Sequence, residues 1–341
     1  MAYTTIDNPS AYFNTKLISS ASEITSVGHQ ADMIWLKSRT NDYSHELIDT
    51  VRGITKKFKV DDSGAESTTS TVITAIGSDS YTVGSGSNVV YSGSSGVGWS
   101  WKAGTSFTND ASATSIGTLD SSGSRDTDAG FSIISFTGTE TSSQSVAHGL
   151  GAVPELIISK SRDVVDNWMV YHSSFSAQDY ISLNLTSAKG SSANVWSSVP
   201  TSTVINIGDN AGVNDDGAMI MYAFRSVQGY SKFDSYTGNG NANGPFIYTG
   251  FRPAFVLQKS TAVQGWQLQD NKREGYNGDN DLLQPHDSAA ESGVNRIDIL
   301  SNGFKVITTD AGQNTAGQEY IFMAFAEAPF VTSTGVPGNA R

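Results

Sequence analysis

Short apolar runs of strand length alternate along the whole chain with turns rich in Gly, Ser, Asn and Asp. No segment keeps a sustained 3.6-residue apolar period, although residues 288–299 are compatible with a short helix. The longest apolar runs, such as residues 218–224 and 320–326, have the length of a strand and fall well short of the roughly 18 residues that a membrane span needs. The pattern therefore predicts an all-β protein of short antiparallel strands.

One apolar pattern occurs three times, and each copy places a Lys nine positions after a Gly, with an apolar run between them. The three copies run from Gly28 to Lys37, from Gly151 to Lys160 and from Gly250 to Lys259. This spacing predicts a turn that leads into a buried strand, which ends at a solvated lysine. Lys160 and Lys259 are 99 residues apart, so the second and third copies keep the same internal spacing.

Further strands follow each copy in the same order, beginning with residues 45–49, 168–172 and 266–270. Each block then closes with two strands around a Gly-, Asn- and Asp-rich turn, which is typical of hairpins. The first copy departs most from the pattern. Ala31 stands where the other copies have Pro154 and Pro253, and His45 stands where they have Trp168 and Trp266.

These repeats predict three tandem antiparallel β-sandwich modules, jelly-roll-like, of about 100 residues each and related by pseudo-symmetry. A propeller is the structural alternative, but its blades repeat at roughly 40 to 50 residues. The predicted boundaries are an N-terminal arm at 1–11, module 1 at 12–104, a Ser/Thr/Gly-rich linker at 105–129, module 2 at 130–229, module 3 at 230–330 and a C-terminal tail at 331–341.

Composition narrows the classes of function. The formal net charge is −12, and the chain has no run rich in Lys and Arg, which argues against a grip on nucleic-acid phosphates. The absence of cysteine excludes disulfides, thiolate metal sites and a cysteine nucleophile. The first ten residues lack the basic and apolar regions of a signal peptide, and we expect no membrane insertion.

No catalytic motif is present in the sequence. The five histidines form no metal-binding pair, and no nucleophile elbow of the Gly-x-Ser-x-Gly type lies between a strand and a helix. The glycines at 238, 240 and 244 resemble a dinucleotide fingerprint only loosely, because Pro245 follows and no helix begins there. Two carboxylates could still meet in a cleft and hydrolyse a glycoside, so a hydrolase remains an alternative. The prediction is that the chain is not an enzyme.

Acidic loops are the better candidates for metal binding, because carboxylate and amide oxygens at alternate positions suit Ca²⁺. One loop contains Asp209, Asp215 and Asp216, and a second contains Asp279 and Asp281. Neither loop has the Gly and Glu placement of an EF-hand, and a solvated turn explains both. We therefore expect no cofactor, with Ca²⁺ as the open alternative.

The tryptophans have two interpretations. Trp168 and Trp266 occupy equivalent strand positions, which favours a role in the core. Trp99 and Trp101 lie at i and i+2 of one strand and therefore face the same side. That placement makes them candidates for a ligand-binding platform on which a sugar or a surface could stack.

The chain resembles a repeat family of virion and tail-associated structural proteins in tailed phages that infect marine cyanobacteria and other marine bacteria. The resemblance rests on Gly-Tyr-Ser-Lys-Phe-Asp-Ser-Tyr-Thr-Gly-Asn-Gly at 229–240 and on residues 244–259 and 320–330, and it extends from Tyr12 to Arg341. The motifs of the family carry no catalytic residues. The resemblance implies a virion structural protein.

Within that class the expected role is an outward-facing tail or vertex appendage that attaches to the host surface. The expected partners are other virion proteins, further copies of the chain, with a trimer favoured, and a glycan or protein of the host surface. Capsid decoration is the first alternative, and a polysaccharide-degrading tailspike is the second. The Gly-, Ser-, Asn- and Tyr-rich loops suit recognition surfaces, and modules without disulfides gain stability by burying surface against neighbours.

Overall fold

The regular secondary structure of the protein is almost entirely antiparallel β-sheet, which confirms the all-β prediction. The computed structural model describes residues 3–273, 277–278 and 280–338. Its helical segments within those residues are short: α1 (Ala111–Thr114), α2 (Ala211–Asn214) and the 3-10 turns Pro9–Ala11 and Tyr91–Gly93. None of the helical segments in this part of the chain has the length and apolar character of a membrane span.

Residues 12–104, here called the first segment, form a six-stranded sheet and a smaller cover sheet. The strands are β1 (Phe13–Ile18), β2 (Glu23–Ile24), β3 (Met33–Ser38), β4 (Glu46–Asp49), β5 (Lys56–Lys59), β6 (Ser67–Thr68), β7 (Ile73–Ile76), β8 (Tyr81–Val83) and β9 (Gly96–Trp101). Sheet I has the order β1-β9-β3-β4-β5-β6, and its cover sheet has the order β2-β8-β7.

Residues 130–229, the second segment, form most of sheet II. The strands from residue 105 onward are β10 (Thr105–Asn109), β11 (Ser121–Asp126), β12 (Phe131–Thr137), β13 (Gln144–Ala147), β14 (Leu156–Ser161), β15 (Met169–His172), β16 (Asp179–Ser182), β17 (Gly190–Ser191), β18 (Val204–Ile207) and β19 (Ala218–Phe224). Sheet II has the order β10-β11-β12-β19-β14-β15-β16-β17, and β13 and β18 form its cover.

Residues 230–330, the third segment, form sheet III. The strands are β20 (Ser231–Thr237), β21 (Phe246–Tyr248), β22 (Phe251–Ser260), β23 (Gln267–Asp270), β24 (Ile297–Leu300), β25 (Gly303–Val306) and β26 (Glu319–Pro329). Sheet III has the order β20-β26-β22-β23, and its cover sheet has the order β21-β25-β24. The short helix considered for residues 288–299 is not formed, and β24 begins there instead.

The same strand order occurs in the three main sheets. It is β1-β9-β3-β4 in sheet I, β12-β19-β14-β15 in sheet II and β20-β26-β22-β23 in sheet III. In each case the first strand of the segment pairs with the last, and the repeated Gly-to-Lys strand pairs with that last strand and with the strand that follows it. The order of repeated motifs in the sequence thus corresponds to an order of strands in space.

The central strands of each main sheet are buried on both faces. In β14, for example, Leu156 and Ile158 belong to a central core to which all three sheets contribute, whereas Ile157 belongs to a separate cluster beneath the cover sheet. Strands that are covered on both sides are continuously apolar instead of alternating. This double burial explains why the repeated strands read as unbroken apolar runs.

Aromatic side chains join the three sheets in the central core. The Phe13 and Phe325 rings, from sheets I and III, stack with centroids 5.0 Å apart, and the Phe224 ring of sheet II lies 6.0 Å from Phe325. Phe58 and Trp168, from sheets I and II, meet edge to face at 5.0 Å. The three segments therefore share one central hydrophobic core and are not three separate globular units.

Backbone hydrogen bonds also connect the segments in a closed cycle. Each bond runs from an N–H in one segment to the carbonyl two residues after the repeated lysine of the next. We call these contacts seam A (Glu66 to Arg162, 2.8 Å), seam B (Lys189 to Thr261, 2.9 Å) and seam C (Glu291 to Arg39, 2.9 Å). The first segment thus contacts the second, the second contacts the third, and the third contacts the first.

The repeated lysines are buried, so the expectation that they are solvated is wrong. Lys37, Lys160 and Lys259 are each 0% exposed. Each Nζ donates to the carbonyl of the following residue and to a second carbonyl in the loop beyond it, and Lys37 and Lys259 also reach across a seam to the carbonyls of Ser288 and Ser187. The loop after each lysine folds over the end of the strand. Its backbone carbonyls accept the hydrogen bonds of the ammonium group that water would otherwise accept. Burial lowers the pKa of Lys37 and Lys160 to about 8 and that of Lys259 to about 7.

Residues 105–129, expected to be a linker, are folded. They form β10, α1 and β11, and β11 pairs with β12 along six residues, so that they extend sheet II. A backbone ladder needs no large side chains, and close approach favours small ones. At Gly123 a Cβ would lie 1.8 Å from the carbonyl oxygen of Ile133, so only glycine fits. The Ser- and Gly-rich composition here reflects tight strand pairing.

Trp168 and Trp266 are buried at equivalent positions, which confirms their predicted place in the core. Trp168 Nε1 donates across seam A to the carbonyls of Lys59 and Asp62 at 3.3 and 3.2 Å, and Trp266 Nε1 donates across seam B to the carbonyl of Ser182 at 2.9 Å. His45, the corresponding residue of the first segment, contacts the carbonyl of Gln284 across seam C at 3.2 Å. These side chains therefore connect segments as well as fill the core.

Candidate functional site

Trp99 and Trp101 do not form a binding platform, and this corrects the interpretation made from their spacing. They do face the same side of β9, but that side is the central core, and each is 0% exposed. Trp99 Nε1 donates to Asp270 Oδ2 at 3.1 Å, and the Trp101 ring lies 5.8 Å from Phe255. An aromatic ring must expose a face in order to stack on a ligand, and neither ring has one.

The acidic loop at 209–216 is a helix cap with no converging carboxylates. Asn210 caps α2, and the buried Asn214 donates to the carbonyls of Thr141 and Gly208 at 2.8 Å each. Asp215 Oδ2 accepts from Ser161 Oγ at 3.3 Å, Asp216 is exposed, and Asp209 is half-buried. The polar side chains of this loop thus form hydrogen bonds that stabilise the conformation of the loop.

The second acidic loop has a similar role. Asp281 is ion-paired with Arg39 at 3.4 Å, and the Asn277 side chain exchanges hydrogen bonds with the backbone of Ile299 in β24. Asp279 lies outside the described residues. Among the residues that are described, no group of three or more His, Asp or Glu side chains is placed to hold a metal ion.

Buried ion pairs occupy seams A and C. At seam C, Arg273 Nε lies 2.7 Å from Asp270 Oδ2, and Glu291 joins Arg273 to Arg39. Seam A has the same arrangement, with Asp49, Arg52, Glu66 and Arg162 in the corresponding roles. Burial alone would lower the pKa of Arg52, but Asp49 and Tyr222 outweigh it and raise that pKa above its ordinary value. The ion pairs that cross between segments are Arg162–Glu66 at seam A and Arg39–Glu291 at seam C.

Seam B differs from the other two. Where they have Asp49 and Asp270 it has His172, and burial lowers the pKa of His172 to about 4, so the ring is neutral at pH 7. Phe175 lies three residues further on, where seams A and C have the buried arginine, and Lys189 Nζ lies 5.2 Å from its ring and 2.6 Å from Asp179 Oδ2. The contact between the second and third segments is thus more apolar at this point.

An open cleft of about 600 Å³ lies between the second and third segments, with Tyr3 of the N-terminal arm on its wall. Its volume falls in the range of roughly 300 to 1,000 Å³ that is usual for small-molecule sites. The described lining residues are Tyr3, Glu155, Ser173, Ser174, Ser226, Gln228, Ser231, Lys232, Phe233, Asp234, Tyr248, Thr249 and Gly250. They combine aromatic rings with hydroxyl, amide, carboxylate and ammonium groups.

Hydrogen bonds fix the aromatic wall of the cleft. Tyr3 Oη and Tyr248 Oη are 3.0 Å apart, and Tyr3 Oη donates to the Gly250 carbonyl at 2.9 Å. Burial and the neighbouring Tyr248 hydroxyl raise the pKa of Tyr3, so this phenol stays protonated at neutral pH. Lys232 Nζ donates to the Tyr248 carbonyl at 2.9 Å and lies 3.2 Å from Asp234 Oδ2.

The edge strand β21 presents a pair of exposed aromatic residues next to this cleft. Phe246 is 46% exposed and Tyr248 is 48% exposed, whereas Ile247 between them is buried under the cover sheet. Alternation along a strand places Phe246 and Tyr248 on one face. Phe246 and Tyr248 therefore have the same i, i+2 spacing as Trp99 and Trp101. The sequence alone does not tell which of the two pairs faces solvent.

A second open cleft, of about 400 Å³, lies beside the β10–β11 hairpin and is lined by Asp110, Asp120 and Arg162 among others. Asp110 caps α1, and Asp120 Oδ1 accepts from the backbone N–H of Ala111 at 2.8 Å, so both carboxylates support local structure. The cleft lined by Tyr3 and Tyr248 is therefore the stronger candidate site.

A protein-family model matches most of the chain. The family model described as a domain of unknown function (DUF7483) matches residues 8–329 and so spans all three main sheets. No curated protein and no solved structure matches the chain. Because the matched residues make up most of the chain, the protein belongs to the DUF7483 family.

Proposed function

We propose that this protein is an outward-facing structural component of a virion, a tail or vertex appendage that attaches to the host surface. The observation that carries the proposal is the open cleft with its exposed aromatic edge, which lies on a scaffold closed by three seams. Binding groups held by a rigid framework lose little conformational entropy when a ligand is bound. The proposed location on a virion rests on the family resemblance of residues 229–240, 244–259 and 320–330.

We also propose that residues 12–104, 130–229 and 230–330 are three copies of one β-sandwich unit related by pseudo-threefold symmetry. The shared strand order, the repeated buried lysine and the cyclic seams support this organisation. Superposition of the second segment on the third in an experimentally solved structure should match most strands. An unlike strand path in the two segments would contradict it.

The proposed partners are other virion proteins, further copies of the chain as a trimer, and a host-surface glycan or protein. The stability argument for a trimer is weakened, because the three segments already bury their apolar faces against one another within one chain. A trimer would then serve multivalent attachment. The net charge of −12 supports a partner other than nucleic acid, and we propose a binding role without catalysis.

Binding of the purified protein to whole host cells tests the proposal. We expect saturable binding that persists in the presence of a chelator, because the described acidic loops hold no converging metal ligands. The mass of the protein in solution, measured in parallel, distinguishes a trimer from a monomer. A monomer that never binds cells but binds capsids lacking it would favour capsid decoration, and loss of cell-surface polysaccharide would favour a hydrolase.

A further inference from the structure

We infer that the cleft between the second and third segments, together with Phe246 and Tyr248, binds a neutral oligosaccharide. The inference rests on the proposed function only in that the host surface would supply the sugar. The site itself is defined by the polar residues that line the cleft, by Tyr248 in its wall and by Phe246, which lies two residues from Tyr248 on the same strand.

The aromatic pair of β21 can contact two consecutive units of a chain-like ligand. Phe246 and Tyr248 lie about 6.7 Å apart along the strand and point to the same side. A pyranose ring has one face of C–H groups, which is apolar, and the face of an aromatic ring carries the negative side of a quadrupole. Two exposed rings in a row therefore suit consecutive sugar units better than a single small apolar ligand.

The polar residues that line the cleft can form hydrogen bonds with sugar hydroxyls. Ser173, Ser174 and Gln228 bring hydroxyl and amide groups to the cleft, and each of these groups both donates and accepts. Sugar hydroxyls also donate and accept, so they can pair with such groups in several orientations. If the ligand had no hydroxyl groups, these side chains would form hydrogen bonds with water instead of with the ligand.

The charged groups that line the cleft disfavour anionic ligands. Lys232 is engaged by the Tyr248 carbonyl and by Asp234, and Glu155 Oε2 accepts from the Ser226 backbone N–H at 2.6 Å. The lining thus contains two carboxylates against one ammonium group, on a chain with a net charge of −12. Sulfated and carboxylated glycans would be repelled, which leaves uncharged sugars as the favoured class.

Binding of the full chain to purified sugars tests the inference. A panel of neutral gluco-, manno- and galacto-oligosaccharides would be compared with sulfated and carboxylated forms of the same backbones by calorimetry and by chemical-shift changes. We expect binding to at least one neutral member and weaker or no binding to its charged forms. Phe246→Ala and Tyr248→Ala should each weaken binding about tenfold or more, as expected for aromatic contacts at a binding centre.

Two further variants control for stability and for general surface effects. Tyr248→Phe keeps the ring but loses the hydroxyl, and it should retain most of the affinity if stacking is the main contact. Tyr91→Ala removes an aromatic side chain that is 56% exposed and lies outside the cleft, and it should bind like the wild type. Absence of binding to every neutral sugar, preference for charged glycans, or equal loss in Tyr91→Ala would overturn the inference.

The cell-binding assay separates this inference from the proposed function. If Phe246→Ala and Tyr248→Ala still bind cells at wild-type levels, the cleft is not the attachment site, although attachment itself stands. If the wild type binds neutral sugars but no cells, the ligand class is supported and the proposed role at the host surface fails.

Discussion

The buried ion pair at seam C allows a quantitative test of how the segments are joined. Arg273 and Asp270 have side chains that are 0% exposed, with Nε and Oδ2 2.7 Å apart, and Arg273 also donates to the Leu268 carbonyl at 3.1 Å. Replacing Arg273 with Met would leave the Asp270 carboxylate in the interior. Breaking a buried pair in this way typically costs about 3 to 5 kcal/mol of unfolding free energy.

We expect a cost near the lower end of that range, about 3 kcal/mol. Asp270 keeps three hydrogen bonds in the variant, from Trp99 Nε1 and from the backbone N–H groups of residues 272 and 273. Adding Asp270→Asn removes the unpaired charge and should restore part of the loss. Urea unfolding, followed by tryptophan fluorescence and by far-UV circular dichroism, measures both effects.

Arg296→Met is the matched control for this experiment. Arg296 pairs with Asp310 at 2.8 Å, but the two side chains are 20% and 38% exposed, so its loss should cost at most about 1 kcal/mol. Because all three sheets share the central core, Arg273→Met should shift one cooperative transition for the whole chain. Equal costs for Arg273→Met and Arg296→Met, or separate unfolding of the third segment, would refute this reasoning.

The buried tryptophans, the buried lysines and the acidic loops can each be tested separately. Trp168→Ala and Trp266→Ala should each lower the unfolding free energy by about 3 to 5 kcal/mol, whereas exposed Tyr91→Ala should leave it nearly unchanged in the same urea titrations. Stability should rise from about pH 7 toward pH 10.5, because the buried lysines have pKa values of about 7 to 8 when folded and bind more protons when unfolded, with an ordinary pKa of 10.5. Lys259→Met should flatten this rise, and an unchanged slope would count against the assignment. A chelator should leave the melting temperature unchanged, since the described part of the chain holds no metal cluster, and a drop of several degrees would contradict this.

The sequence pattern predicted the fold class because each repeated motif marks a strand. The run from Gly151 to Lys160 specifies β14, and the later motifs specify β15 and β19 in the same order. It did not predict the burial of Lys160, because a strand that ends in lysine usually reaches solvent. Here the following loop folds back, and the carbonyls of Ser161 and Val164 accept from Nζ. Such long-range packing leaves no local signal in the sequence.

The position of the candidate site also could not be predicted from local sequence patterns. Spacing correctly placed Trp99 and Trp101 on one face, but only the packing of three sheets reveals that this face is interior. The exposed pair in β21 has equal spacing and weaker aromatic character, so composition favoured the wrong pair. Exposure depends on which sheet covers which face, and that is a property of the assembled fold.

One local signal could have identified a sheet edge. In β20, an edge strand, Asp234 Oδ1 accepts from the backbone N–H of Ser235 at 2.8 Å. In β12 the position 100 residues earlier is Ile134, which is buried beneath the cover sheet, and the edge of β12 is paired with β11. A polar residue that satisfies its neighbour's backbone protects an exposed edge. A polar residue of this kind thus lies on the unpaired edge strand β20, whereas β12, which pairs with β11, has an apolar residue at the same position.

The location of the protein on an intact particle tests the proposed function most directly. Gold-labelled antibodies against the cleft face, for example against residues 228–234, would be applied to whole virions and observed by electron microscopy. The proposal predicts label concentrated at tail or vertex appendages, and competition between label and host cells for the same particles. Label spread evenly over the capsid surface, or absent from intact virions, would contradict it.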